Sequence, residues 1–207
     1  MAIEQEFADL YWPTVDDFME YLPGIDCGNC GYSSCTDYAD ALVNRTAEKA
    51  CPECEGRIQE LLLSITKFHV DPLPFNVMME ETKCEVIPIN SPEEDSPLVV
   101  TCNFIETVKI LVDLLISTRT KSYVLPTFTH GYSVDNAVHE KMFKALEIWK
   151  AIQDNGVEKM LNHRVMIIPG LAEKEKNNIR QLTRWDVEVG PVSGFLLPLY
   201  LETRKVR

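Results

Sequence analysis

Five of the chain's seven cysteines fall between residues 27 and 54, and this cluster constrains the fold more than any other feature. The order is Cys27-x2-Cys30-x4-Cys35-x15-Cys51-x2-Cys54, with only Cys84 and Cys102 elsewhere. The count is odd and the chain has 207 residues, too many for a disulfide-stapled mini-domain. Met1 to Glu6 shows no basic region leading into an apolar stretch, so no signal peptide is expected. Clustered thiols in a reducing compartment read as a metal site, and a cytoplasmic location is expected. Cys84 and Cys102 read as small buried hydrophobes.

Local chemistry says how these thiols could meet. Gly24, Gly28 and Gly31 let the backbone curl around Cys27 and Cys30. Ser33 or Ser34 can cap a helix starting near Cys35. That helix cannot run unbroken to Cys51, because sixteen helical residues span roughly 24 Å. Asn44-Arg45-Thr46 offers a break, with Thr46 expected to cap a final short turn that returns Cys51 to the others. Two metals suit four thiolates. An iron–sulfur cluster would take Cys27, Cys30, Cys35 and Cys51. Zinc would take Cys27, Cys30, Cys51 and Cys54, two Cys-x2-Cys knuckles separated by 20 residues. The helical segment Tyr38-Ala39-Asp40-Ala41-Leu42 favours the cluster, since a zinc ribbon would place a hairpin there and strand Cys35. Zinc, and ordinary thiols, stay open on the residues alone.

Around this cluster the chain divides in three. Residues 1–67 form a small helical unit, with Thr14 capping a short helix and a second helix from Glu55 to about Lys67. Residues 68–95 read as an acidic, proline-bearing linker with one short strand between Cys84 and Ile89. Its Met78-Met79 pair is too short for a metal-binding tract. Residues 96–207 alternate strands and helices. Strands are expected at 98–101, 122–125, 164–168 and 186–189, and helices at 104–117 and roughly 171–182. One further helix is expected to bury Val134, Val138, Met142, Leu146, Trp149 and Ile152. The fold class is therefore α/β: a small helical four-cysteine unit followed by a Rossmann-like, largely parallel sheet.

Ligands of open parallel sheets bind beyond the carboxyl ends of the strands. Four loops fall there: Thr101 to Asn103, Thr127 to Ser133, Pro169 to Ala172 and Gly190 to Gly194. They bring small residues, hydroxyls and backbone N–H groups at helix starts, a rim able to hold amides or phosphate. None is a dinucleotide fingerprint or a P-loop. His139 and His163 show no partner arrangement for catalysis and read as surface or capping residues. With 32 acidic and 20 basic residues the formal charge is −12, which disfavours nucleic acid and anionic membrane surfaces. The best apolar run, Ile110 to Ile116, is short and broken by Asp113, so no membrane span is expected.

Two stretches resemble one known family. Leu22-Pro23-Gly24-Ile25-Asp26-Cys27-Gly28-Asn29-Cys30-Gly31 to Cys35, then Cys51-Pro52, resembles the four-iron domain of the large subunit of corrinoid iron–sulfur proteins. The archaeal form is the gamma subunit of acetyl-CoA decarbonylase/synthase. The resemblance implies a [4Fe–4S] cluster on Cys27, Cys30, Cys35 and Cys51, with Cys54 outside the pattern. Ser96 to Phe104, His130 to Val134, Asn162 to Gly170 and Val189 to Pro191 resemble that subunit's C-terminal corrinoid-binding domain. By position, the implied ring contacts are Thr101, Asn103, Gly131, Tyr132, Ser133, Val134, Pro169, Gly170, Gly190 and Pro191. The TIM barrel that separates the two domains in the family does not fit in residues 68–95. His130 and Tyr132 depart from the family, and His130 reads either as a cobalt or corrin-amide contact or as a solvated loop histidine.

The resemblance implies an anaerobe-type corrinoid protein of one-carbon metabolism that carries or supports methyl-group transfer. Its cluster would return cobalt to cobalt(I), and the linker would let the small unit swing toward the cobalt. The chain offers no acid, base or nucleophile of its own, so it reads as a non-catalytic component. A methyltransferase or a TIM-barrel corrinoid-protein subunit is the expected partner, with an electron donor such as ferredoxin. Two other readings are an electron-transfer or activation protein that docks on a partner's corrinoid, and a zinc-stabilised interaction module. In anoxically prepared protein, Cys35→Ser is expected to abolish the visible cluster absorption while Cys54→Ser retains it. The reverse pattern would favour zinc.

Overall fold

The structure is a computed structural model that describes residues 11–70 and 79–204. The residues N-terminal to Tyr11, and Pro72, Pro74 and Met78 of the expected linker, lie outside the described residues.

The cysteine-bearing half is built from three short helices. In α1 (Val15–Met19) the Thr14 hydroxyl accepts the Asp17 N–H at 3.3 Å, and the Asp17 carboxylate accepts the Thr14 N–H at 2.8 Å. This reciprocal cap satisfies two otherwise orphaned donors. Helix α2 (Cys35–Val43) starts on Ser34, whose hydroxyl accepts the Asp37 N–H at 3.0 Å. It stops where expected, with Arg45 left-handed at φ 56°. Thr46 does not cap a new helical turn. Its hydroxyl donates back to the Ala41 carbonyl at 3.3 Å, and residues 46–54 run on without helix or strand. Helix α3 (Ile58–Lys67) begins three residues later than expected, after Gly56 takes a left-handed φ of 53°.

The second half is a five-stranded sheet in the order β1-β3-β2-β4-β5. Strands β2 (Leu98–Cys102), β3 (Ser122–Thr127), β4 (Val165–Ile168) and β5 (Asp186–Val189) are parallel. The short β1 (Ile87–Ile89) pairs antiparallel on the β3 edge. The Rossmann-like reading therefore holds, with the strand expected near 84–89 as its antiparallel edge. Side chains alternate between the two faces, as strand geometry requires. Leu98 and Val100 pack toward Ala137, Ile148 and Ile179, on the side of α5 (Val134–His139), α6 (Ala145–Asp154) and α7 (Lys176–Thr183). Val99 packs toward Leu111 and Leu197, on α4 (Ile105–Ser117) and α8 (Leu197–Thr203).

The single helix expected across Val134 to Ile152 is two helices. Lys141 takes φ 56°, and Met142 N–H donates to the Ala137 carbonyl at 2.6 Å, which closes α5. Phe143 then drops into the core. The added turn resets the helical phase, so α6 buries Ile148, Ala151 and Ile152. Leu146 and Trp149, expected inside, are 47% and 40% exposed. The polar helix expected at 171–182 is a 3₁₀ stretch (Gly170–Glu175) followed by α7.

Helix α4 explains the apolar run at 110–116. A helix apolar around most of its circumference is buried on more than one side. Leu111 and Leu115 face the sheet, while Ile110 and Leu114 join Phe18, Tyr38, Leu42, Leu61, Leu62 and Ile65 of the cysteine-bearing half. Phe195, Leu196 and Leu199 complete that second core, and Trp12 meets Phe195 edge-on at 5.0 Å between ring centroids. Arg57 closes the seam, donating to the Thr118 carbonyl at 2.6 Å and pairing with Glu202 at 3.3 Å. Leu114→Ala is expected to cost about 2–5 kcal/mol, because Leu114 is fully buried between the halves. Urea denaturation measures it, and a loss under about 1 kcal/mol would show that the seam contributes little.

Candidate metal centre and the crevice at the sheet edge

Cys30, Cys35, Cys51 and Cys54 are buried, Cys27 is exposed, and all five thiols are free. Four devices, the glycine turns and three side-chain hydrogen bonds, bring the segments together. Gly24, Gly28 and Gly31 take φ of 67°, 72° and 91°, values only glycine adopts without strain, so the loop folds over itself. The Asp26 carboxylate accepts the Cys35 N–H at 2.7 Å and clasps the start of α2 to the residue before Cys27. Asn29 donates to the Glu53 carboxylate at 2.7 Å, joining the first loop to the Cys51 turn. The Tyr38 hydroxyl donates to the Lys49 carbonyl at 3.0 Å and pins the returning chain against α2.

Electrostatics show which thiols are neighbours. Burial, then the Cys51, Cys35 and Cys30 thiols, push the Cys54 thiol up to about 12. Burial and the neighbouring Cys51, Cys54 and Cys30 likewise hold the Tyr38 phenol above its usual range. The neutral form is favoured in each case because a second negative charge in a poorly solvated pocket is costly. Cys54 also hydrogen-bonds the Cys51 thiol and the Tyr21 carbonyl, the latter at 3.8 Å, and its N–H donates to the Cys51 carbonyl at 3.2 Å. In the described residues no three His, Cys, Asp or Glu side chains are grouped to hold a metal ion as they stand. The thiols must draw closer around whatever they bind. An all-sulfur, mostly buried donor set without histidine fits a thiolate-held iron–sulfur cluster, and its chemistry also suits zinc.

Reading the sequence missed two of these features. Cys54 sits among three of the four expected ligands, although it lies outside the family's spacing. Asp26 is a clasp, and the signal for it was a turn-forming acid wedged between two glycines in Gly24-Ile25-Asp26-Cys27-Gly28. Cys102 is fully buried beside Phe104 and Val134. Cys84 is half-buried, its thiol pushed up by burial and by Glu81 and Glu147.

The second site lies where the strand order reverses. From β2 the chain moves outward to β3, and from β4 it moves the other way to β5, so the switch point falls between β2 and β4. A crevice of about 50 Å³ opens there. Thr101, Val134, Pro169, Gly190 and Pro191 line it, five of the expected ring contacts, and Tyr11 reaches its edge. Gly170 sits behind them, where an added Cβ would lie 2.7 Å from the Val192 nitrogen. The N–H groups of Gly170 and Gly190 are taken by the Pro191 and Ile168 carbonyls at 3.1 and 2.9 Å.

The remaining expected contacts face the chain itself. Asn103 is buried, and its Oδ1 accepts from the Thr129 N–H, the Thr129 hydroxyl and the Gly131 N–H at 2.9, 2.9 and 3.1 Å. A stretch of chain, Met79 to Thr82, lies over these loops. Thr82 N–H donates to the Asn103 carbonyl at 2.8 Å, and Ile105 N–H donates to the Glu80 carbonyl at 2.9 Å. A Cβ on Gly131 would stand 3.0 Å from the Met79 carbonyl oxygen. Tyr132 packs on the core of the α5–α7 side, and the Ser133 hydroxyl bonds Asp135 at 2.5 Å. His130 lies against Phe128 at 4.3 Å between rings. His163 is structural, bonding the Ser96 carbonyl and the Val165 N–H, each at 3.1 Å, and His139 is a surface residue at the end of α5. No helix in the described residues is long and apolar enough to cross a membrane.

Comparison with known proteins adds a second line of observation. The family model for the CO dehydrogenase/acetyl-CoA synthase delta subunit matches residues 29–195. The acetyl-CoA decarbonylase/synthase complex subunit gamma of Archaeoglobus fulgidus is 33% identical over 135 residues, 63% of this chain and 29% of that protein. The corrinoid/iron-sulfur protein large subunit of Moorella thermoacetica is 32% identical over 157 residues, 75% of this chain and 33% of that protein. A component of the ion-translocating oxidoreductase complex of Shewanella oneidensis is 38% identical over 64 residues, 31% of this chain and 32% of that protein. The chain thus spans about a third of the length of these relatives.

Asn103→Ala is expected to lower stability by about 1–3 kcal/mol, because it strips a shared acceptor from buried N–H and O–H donors. Denaturant unfolding tests this, and a change within about 0.5 kcal/mol would show that the clasp between the β2 and β3 loops is idle.

Proposed function

The chain belongs to the CO dehydrogenase/acetyl-CoA synthase delta subunit family, and we propose that it is an iron–sulfur corrinoid protein that carries or supports methyl-group transfer. The observation that carries this reading is the pocket of thiols in a family whose relatives include a protein named for corrinoid and iron–sulfur. Cys27, Cys30, Cys35 and Cys51 would hold a [4Fe–4S] cluster. Bound there, the cluster supplies one low-potential electron, the kind that restores cobalt(I) from oxidised cobalt.

The chain's own residues set the conditions for that chemistry. Burial of Cys30, Cys35 and Cys51 excludes water, and the exposed Cys27 leaves one edge open to a redox partner. The formal charge of −12 disfavours adding an electron, which keeps a cluster's potential low. Asp26 and Asn29 hold the two cysteine-bearing loops in register. Residues 1–67 act as a cluster unit and 96–207 as a corrin-facing unit; of the connecting 68–95, Met79 to Thr82 and β1 pack on the second unit. The core shared through α4 and α8 seats the first on the second, so any swing of the small unit has to open that core. A corrinoid would meet the crevice side of the rim, at Thr101, Val134, Pro169, Gly190 and Pro191. A methyltransferase or a barrel subunit would cover it, and a ferredoxin-type donor would supply electrons.

A second reading is favoured by the rim itself. The crevice holds only about 50 Å³, and Met79 to Thr82 already occupy the Asn103 and Gly131 loops. On this reading the protein is an electron-transfer or activation protein that docks on a partner's corrinoid and carries none. Iron, sulfide, cobalt and zinc analysis of anoxically purified protein, followed by titration with hydroxocobalamin, separates the readings. Iron and sulfide at about four each per chain are expected. Cobalt retained, or hydroxocobalamin bound tightly, supports the first reading. Iron without either supports the second. One zinc and no iron would overturn both and leave a zinc-held interaction module.

A further inference from the structure

The family's spacing uses four cysteines, and this chain brings a fifth to the same pocket. Cys54 is 6% exposed and Cys51 is 2% exposed, and their thiols are hydrogen-bonded within one Cys-Pro-Glu-Cys turn. Cys54 packs in one buried cluster with Cys30 and Cys51, and Cys35 is buried at the start of α2; these are three of the four residues assigned to the [4Fe–4S] site. The fourth, Cys27, is the exposed one, set in a loop whose backbone turns through left-handed Gly24, Asp26 and Gly28. Burial therefore sorts the five thiols into an inner quartet and one outer member. The outer ligand is the one that water, oxidants and competing thiols reach first.

We propose that Cys54 is an interchangeable fourth ligand, which takes the place of Cys27 so that the cluster stays bound by Cys30, Cys35, Cys51 and Cys54. The inference rests on the cluster reading above and adds a residue to it. The exchange balances without an electron. One iron–thiolate bond to Cys27 breaks and one to Cys54 forms, and the proton leaving the Cys54 thiol is returned to Cys27. Two features make Cys54 suited to the exchange. Its carbonyl is held by the Gln59 side chain at 2.6 Å, which fixes the turn that carries it. Its N–H is bonded to the Cys51 carbonyl at 3.2 Å, which keeps it one turn from a residue assigned to the cluster. Cys84 and Cys102 are ruled out as reserves: Cys102 ends β2 beside Phe104, and Cys84 neighbours Glu81 and Glu147.

Cysteine-to-serine variants of the full chain, reconstituted anoxically with ferrous iron and sulfide, test this. The readouts are iron and sulfide per chain and the EPR signal after reduction. Cys27→Ser and Cys54→Ser are each expected to stay within about twofold of the unsubstituted protein, with an all-cysteine EPR signal. The double variant Cys27→Ser/Cys54→Ser is expected to lose iron by about tenfold or more, at least what losing a mere supporting partner costs a metal site. A matched control, Cys54→Ser/Cys84→Ser, removes two thiols but leaves Cys27, and is expected to stay loaded. It separates loss of a ligand from loss of fold. The proposal is overturned if Cys27→Ser alone is as empty as Cys35→Ser, or if the Cys27/Cys54 double variant stays loaded. Failure of the unsubstituted protein to take up iron would overturn the cluster reading and this inference together.

Discussion

One helix with two buried faces joins the two halves of this molecule. Leu111 and Leu115 of α4 pack on the sheet, while Ile110 and Leu114 pack on the helices that carry the cysteines. The core of the cysteine-bearing half and the core on one face of the sheet both include it. A unit of about 60 residues buries too little apolar surface to be robust alone, and the α4–α8 face supplies the missing area. The thiol pocket and the sheet-edge crevice are therefore parts of one packed body. Their relation is set by side-chain packing, which is dense and does not deform gradually.

Within that frame the cysteine pocket is held by polar clasps more than by regular structure. Asp26 on the Cys35 N–H, Asn29 on Glu53 and Tyr38 on the Lys49 carbonyl each join segments well apart in sequence. The residues between Thr46 and Cys54 carry no helix, and their course is fixed by these bonds and by Gln59. Such a pocket can shift by small amounts as ligands bind. That matters for a set of thiols which, as they stand, are not grouped for a metal ion. It also leaves room for more thiols than a four-ligand site requires.

The sheet edge shows a contrasting economy. Its crevice falls at the point where strand order reverses, the position at which open α/β sheets bind ligands. Yet the polar groups of the rim are largely committed to one another. Asn103 ties the β2 loop to the β3 loop, Gly170 and Gly190 join the β4 and β5 loops, and Met79 to Thr82 close over the first pair. Glycine at 170 follows from this closeness, since any Cβ would enter the Val192 backbone. The glycines of the rim thus serve packing, whatever else the crevice accommodates.

What could be read directly was local. Strand β5 (Asp186–Val189) and the starts of α1 and α2 fall where alternation and caps place them, because those signals are carried by neighbouring residues. The thiol spacing and the flanking glycines raised a metal-type site as an expectation, with cluster, zinc and ordinary thiols open on the residues alone. Sequence periodicity failed between Val134 and Ile152, where Lys141 and the buried Phe143 shift the helical phase, since a tertiary need for Phe143 overrode a regular pattern. It could not show that Cys54 enters the pocket and Cys27 faces outward, that Asn103 turns inward, or that α4 joins two cores. Those facts depend on contacts between residues tens of positions apart, and such contacts leave no mark in the spacing of either partner. The sequence by itself determined which chemistry the chain could carry; the tertiary structure alone decided which of its like residues are buried together, because burial is a property of the packed whole.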